Sequence, residues 1–269
     1  MFPAKSRTDS GLGRFDWLSI TFVLGAVLLC YYLLPLVSLV VSQPPDVVLR
    51  RITQPDVISA TTTSVVSAST SALVATVFGL PLAYWLARAD GQIKTVVTAL
   101  VVLPLVLPPI VSGMVLLTIV GPETLVGRLA AANGLPLTRS VAGVVLAQTF
   151  VSSPFVVVTA KAAFESVDRS LEYASRSLGK SRFTTFRRVT LPLAWPGILA
   201  GVTLAFARSI GEFGATIMLA YYPRTMPVQI WVSFTTLGLD NAFPAAVVLV
   251  GIAVATLVVL NALGQNPLE

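Results

Sequence analysis

Arg208 and Glu212 lie one helical turn apart in an otherwise apolar stretch, and residues 161–192 hold a dense group of charges. At i, i+4 spacing Arg208 and Glu212 share a helix face. A charge at membrane depth costs at least ~2.5–3.5 kcal/mol, so the two are expected to pair. Lys161 and Glu165 repeat the spacing at the end of another apolar stretch, where their stems reach an interface. The rest of the reactive inventory is nearly empty. The chain has no histidine, which excludes imidazole bases, histidine metal sites and Ser-His-Asp triads together. Its single cysteine, Cys30, has no partner for an internal disulfide. Gly179-Lys180-Ser181 has the form of the end of a phosphate-binding loop, G-x4-G-K-[ST]. The first glycine of that loop would fall at residue 174, which is alanine, and no strand precedes it. The expectation is a chain with no catalytic site, no metal, no cofactor and no nucleotide of its own.

The elements that must position these residues are membrane helices. The composition is 55% hydrophobic and 11% charged, with a mean hydropathy of +0.84, whereas soluble domains carry roughly 25% charged residues. An all-α polytopic membrane protein follows. A helix needs about 20 apolar residues to cross the hydrocarbon, and six stretches qualify: 17–41, 57–87, 95–120, 140–160, 194–221 and 243–263. The first is too long for a signal peptide and reads as a retained helix. The whole of 1–269 reads as one membrane domain, with short tails over the first 14 and last five residues. The connections at 44–46, 122–139 and 223–241 read as modest loops. With six spans, both termini share a side with residues 88–94 and 161–188. That side holds 12 Lys and Arg: three at the N-terminus, two near Arg88 and seven in 161–192. The opposite side has five, Arg50, Arg51, Arg128, Arg139 and Arg224. The positive-inside rule places both termini and the 161–192 segment in the cytoplasm of a cell-membrane protein. The net charge of +6 is then a matter of topology, and no nucleic-acid partner is expected.

Two features interrupt the apolar stretches. Pro104, Pro108 and Pro109 in the third remove backbone donors, so that helix must kink or break, either as a packing feature or along a pathway. Gly211 and Gly214 flank Glu212 and permit close approach of a solute or, more commonly, of a neighbouring helix. In the polar segment, Asp168 or Ser170 caps a short helix over 168–179 whose one face carries Leu171, Ala174, Ser175 and Leu178. Gly179 stands where a left-handed C-terminal cap is needed. Ser181 caps a second short helix with Phe183 and Phe186, ending in Arg187 and Arg188. A helix–glycine turn–helix with an apolar ridge suits a groove on a soluble partner.

The stretch LEYASRSLGKSRFTTFRRVTLP resembles the cytoplasmic signature of ABC importer permeases, E-A-A-x3-G-x9-I-x-L-P. Gly179, Val189 and Leu191-Pro192 match its spacing, and Ala174 and Ser175 take the two alanine positions. Tyr173 stands at the glutamate position with Glu172 just before it, and Glu172 is the substitute at hand for the polar contact. FARSIGEFGATIMLA (206–220), AQTFVSSPFVVVTAKAAFESVD (147–168) and LAYYPRTMPVQIW (219–231) resemble molybdate and tungstate permeases, with sulfate permeases as relatives. The resemblance implies a homodimer, two cytoplasmic ATPase subunits docking at Leu171–Gly179, and an extracytoplasmic oxyanion-binding protein. It implies alternating-access import of molybdate or tungstate, with sulfate as the alternative anion. In that setting Arg208 either attracts the tetrahedral oxyanion or serves with Glu212 as a neutral pair holding the bundle or dimer. In a different class stands an ion-coupled secondary transporter, which would need a midplane carboxylate, and only Glu212 qualifies.

Overall fold

The computed structural model describes residues 17–264; residues 1–16 and 265–269, which contain both expected tails, lie outside the described residues. Every regular element among the described residues is helical. The chain divides into two compact units between Pro45 and Asp46. The first carries α1 (Trp17–Val41), with the bounds predicted for the first apolar stretch, and the thiol of Cys30 is exposed on it.

Helix α2 (Pro45–Ile52) starts at the boundary, and the second unit continues with α3 (Pro55–Arg88), a 34-residue helix started by Pro55 and Asp56 and ended by Arg88. Ala60, Ser64, Ser67, Ser71, Ala75 and Gly79 are buried along one face of α3 at three- and four-residue spacing. Such a stripe lets another backbone come close. That neighbour is α7 (Val141–Ser166), capped by Ser140 and running parallel to α3. Antiparallel to both runs α10 (Leu191–Ile210). The three close a core of Ala83, Leu86, Val157, Ala160, Phe164 and Ile198. Gly201 of α10 faces Thr159 so closely that a Cβ there would stand 1.8 Å from its Oγ1.

The third apolar stretch is two helices, α4 (Gln92–Val106) and α5 (Pro109–Val120), bent by 117°. The proline cluster breaks the helix as expected, but unevenly. Pro104 stays inside α4, whereas Leu107 and Pro108 are extended and Pro109 starts α5. Neither half reaches the ~30 Å of hydrocarbon at about 1.5 Å per residue. Between them the chain passes from the C-terminal end of α7, where Lys94 bonds Glu165, toward the N-terminal end at which α7 starts.

The expected fifth span, 194–221, is corrected in the same way. Helix α10 ends at Ile210, residues 211–213 leave the helical path, and α11 (Gly214–Ala220) follows. Two of the expected loops contain helices, α6 (Leu125–Ala132) and α12 (Met226–Leu237), and the connection near 44–46 leads straight into α2. Thr124 caps α6, while α12 turns into α13 (Leu239–Gly264), the last long apolar helix. Among the described residues five helices are long and apolar enough to cross a membrane, and the bent pair, taken as one span, brings the number to six. Between α7 and α10 lie α8 (Arg169–Ser177), α9 (Arg182–Thr185) and a π-helical turn, Phe186–Thr190.

The Gly201 contact yields a test. Gly201→Ala overpacks the α7–α10 seam and costs about 1–3 kcal/mol, read as a fall in the thermal unfolding temperature of the detergent-solubilised protein. Thr159→Ala in the same chain removes the clashing oxygen and restores much of the loss.

Candidate functional site

At the charged end of the bundle the expected caps form. Asp168 Oδ1 accepts the amide of Ser170 at 2.8 Å and opens α8. The Ser170 amide and then its hydroxyl hold the Asp168 carboxyl below its ordinary range. Helix α8 closes in a Schellman turn: Lys180 N–H donates to Ser175 O, Gly179 N–H to Arg176 O, and Gly179 has φ +80°. Ser181 then accepts the amide of Thr184 and opens α9. A hydrogen bond of 3.0 Å between Ser175 and Thr185 sets the two short helices against each other.

The predicted face of α8 is only partly shared. Leu171 and Leu178 are exposed, Ala174 lies beside them, and Ser175 is turned toward Thr185. Of the two phenylalanines, Phe183 is exposed and Phe186 is taken inward, against Tyr84 and Phe164 at 4.9 and 6.0 Å between ring centres. Tyr173 points outward and lines a shallow recess with Arg176, Gly179 and Lys180.

Glu172 does not. Its Oε1 receives Arg88 Nη2 at 2.5 Å and the Thr190 hydroxyl at 2.8 Å. The two charged side chains are only 17% and 13% exposed. Arg88 also donates to Phe164 O at 2.9 Å and lies over the Tyr84 ring, while Arg169 of α8 reaches back to Ala87 O. One guanidinium therefore joins the ends of α3 and α7, the short helix α8 and the turn that leads into α10. Sequence reasoning missed Arg88 because its partners lie 76 and 84 residues away.

Away from the charged end, at the break between α10 and α11, a second group forms. The Arg208–Glu212 pair is made, Nη1 to Oε2 at 2.5 Å, with Glu212 1% and Arg208 29% exposed. It bridges the end of α10 and the break rather than two turns of one helix. Glu212 Oε1 also accepts the amide of Ala215, opening α11. On the other side of the break, Gln148 of α7 donates to Ser209 O at 3.0 Å and accepts from Ser71 Oγ of α3. The Ser209 carbonyl, which also takes the Glu212 backbone amide at 3.1 Å, is thus met by a buried side-chain amide, and the Ala215 amide by a buried carboxylate. Gly214 sits against Pro109 and Ile110, where a Cβ would come within 2.8 and 2.9 Å, so the breaks of the two interrupted stretches touch. Gln148 was absent from the sequence reading; a lone glutamine in a buried stripe was the only signal. Among the described residues no group of His, Cys, Asp or Glu has the arrangement of a metal site.

The arrangement leaves an exposed apolar and cationic turn at one end and brings two interrupted helices together inside the bundle. The sequence profile of the family described as binding-protein-dependent transport system inner membrane component matches residues 75–266. A probable molybdenum ABC transporter permease protein of Haloferax volcanii is 59% identical, over 98% of this chain and 98% of its own length. A molybdate/tungstate transport system permease protein of Pyrococcus abyssi is 36% identical over 93% and 96%, and a probable sulfate transport system permease of Chlorella vulgaris is 36% identical over 80% and 82%. Among solved structures, a bacterial alginate ABC transporter matches with a TM-score of 0.72 at 17% identity, over 93% of this chain and 94% of the other. The MetNI methionine ABC transporter matches at 0.63 and 17%, over 78% and 94%. These two likenesses show the fold.

Two outcomes follow for the charged end. Arg88→Ala leaves the Glu172 carboxylate without its ion pair in a half-closed site and destabilises by about 1–3 kcal/mol. Arg88→Ala combined with Glu172→Gln loses less, and thermal unfolding of the two variants measures the difference. Because the folded Asp168 carboxyl titrates below its unfolded value, its cap is fully present above the ordinary carboxylate range and is lost as pH falls through the lowered value. Amide exchange at Ser170 stays slow down to mildly acidic pH and quickens only in stronger acid.

Proposed function

The chain belongs to the family of binding-protein-dependent transport system inner membrane components, and from that premise we propose that it is the permease subunit through which molybdate or tungstate enters the cytoplasm. The reading is supported by 59% identity to a molybdenum permease along 98% of both chains, against 36% along 80% of this chain for a sulfate permease. The observation that carries the mechanism is the capped α8–Gly179–α9 turn, which presents Leu171, Tyr173, Leu178 and Phe183 outward at the charged end of the bundle. An ATPase subunit docks there, one on each copy of a homodimer, and a binding protein delivers the oxyanion on the opposite side. Both termini then lie in the cytoplasm, in keeping with the excess of Lys and Arg on that side.

In this mechanism the chain breaks no covalent bond. ATP binding moves the docked turn, and the Arg88–Glu172 contact passes that motion to the ends of α3 and α7. The two broken stretches yield at the middle, since α4 with α5 and α10 with α11 are each already divided there. Gly179 and the ridge of α8 are docking residues; Pro108 and Pro109 mark the gate region, and Pro104 stays within a continuous helix.

Arg208 is first a partner for Glu212, because that carboxylate is needed at the start of α11. The same fact disfavours an ion-coupled secondary transporter. Glu212, the midplane carboxylate such a mechanism would use, has both oxygens engaged by Arg208 and Ala215.

Proteoliposomes holding the chain, its ATPase and the binding protein should accumulate molybdate and tungstate only with ATP inside, and sulfate poorly. Oxyanion flux through the chain alone, independent of ATP, would sink the importer reading. Gly179→Val strains the left-handed turn and should lower substrate-stimulated ATP hydrolysis at least tenfold while the chain still inserts; full stimulation would remove the docking role from the turn.

A further inference from the structure

The exposed side chains between Leu171 and Phe183 are nearly all apolar or cationic. Tyr173, Leu178 and Phe183 are 58%, 80% and 72% exposed. Arg176, Lys180 and Arg182 stand among them and share one shallow recess with Tyr173. Glu172, the acid within this stretch, is withdrawn by Arg88 and Thr190, and Asp168, just before it, is occupied at the Ser170 amide. Among the described residues, Arg176, Lys180 and Arg182 have no ion pair. Their spacing is also held: the Schellman turn fixes Gly179 and Lys180, and Ser175 bonds Thr185 across the two helices.

Three uncompensated cations around an apolar ridge constrain what covers it. Side chains such as Leu178 and Phe183 are anchors only when a partner removes them from water, and the cations on their rim are then partly desolvated. Against a neutral or basic surface that desolvation is unfavourable; against carboxylates it is offset by charge-assisted hydrogen bonds. We propose that the ATPase groove receiving this turn has an apolar floor and an acidic rim, with carboxylates opposite Arg176, Lys180 and Arg182. The proposal rests on the importer reading and adds the sign of charge on the partner. The permease supplies the cations of the contact, and its own acid serves inside the bundle.

The test titrates the detergent-solubilised permease with the purified ATPase subunit of the same transporter and compares two sets of variants. Leu178→Ser with Phe183→Ser removes the ridge, and Arg176→Glu, Lys180→Glu and Arg182→Glu reverse the rim singly and together. All five positions are exposed, and matching thermal unfolding checks that the variants fold. Each single reversal should weaken ATPase binding about tenfold and the triple at least a hundredfold, in line with oppositely charged rim contacts. Neutral Gln variants should fall between wild type and the reversals. If the ridge variant releases the ATPase and the triple reversal does not, docking at this turn stands and the acidic rim is overturned. If neither set releases it, the docking site itself is wrong and the proposal falls with it. A triple reversal that keeps the ATPase but loses binding to vesicles of anionic phospholipid would assign the cations to a membrane surface and likewise overturn it.

Discussion

A backbone broken inside hydrocarbon must find new partners for the groups it frees, and much of this structure answers that constraint. Residues 211–213 interrupt the helical path between α10 and α11. The carbonyl of Ser209, which keeps a backbone bond from Glu212, is also met by Gln148, and the amide of Ala215 is met by the Glu212 carboxylate. A carboxylate at that depth needs a counter-charge, which Arg208 supplies. Gln148 is in turn held by Ser71 on α3. Six residues, five on four helices and Glu212 in the break, thus form one connected group, and the small-residue stripe of α3 lets these helices come near enough to make it. Gly214 adds the second interrupted stretch by resting on Pro109. Two interruptions of the bundle therefore lie together.

The charged end is organised by a different economy of polar groups. Arg88 ends the longest helix, where a cation also favours the helix terminus. From there it reaches the carbonyl end of α7 and the carboxylate of α8. The π-helical turn beside it carries Phe186 inward and brings Thr190 to the same carboxylate. A surface helix of nine residues would be marginal alone; ion pair, Asp168 cap and Schellman turn together hold it to the bundle. Its outward side is left free for a partner.

Much of this was legible because it is local. The first apolar stretch became α1 with the expected bounds, and the caps of α8 and α9 formed at Asp168, Gly179 and Ser181. The proline break appeared, and the Arg208–Glu212 pair formed at its i, i+4 spacing. The fifth apolar stretch misled because the apolar residues on both sides of Arg208 and Glu212 add up to one spanning length, and apolar length carries no signal of a backbone break. The outer connections misled similarly: α6 and α12 are helices of eight and 12 residues, too short for a span, so apolar length alone passes over them.

What the sequence determined by itself was class and family: apolar runs of spanning length, the bias of Lys and Arg, and a glycine-centred turn at the spacing of permease signatures. Those depend on neighbours within a few residues. What only the tertiary structure decided was which polar groups are spent inside. Glu172 and Tyr173 are adjacent, and nothing in their order says which faces a partner. The choice is made by Arg88, 84 residues upstream, and Thr190, 18 downstream, which meet at the Glu172 carboxylate once α3, α8 and the start of α10 have packed. Gln148 is assigned in the same way, by a carbonyl 61 residues distant. Burial removes water as the alternative partner, so the geometry of assembled helices, and no local rule, selects the bond.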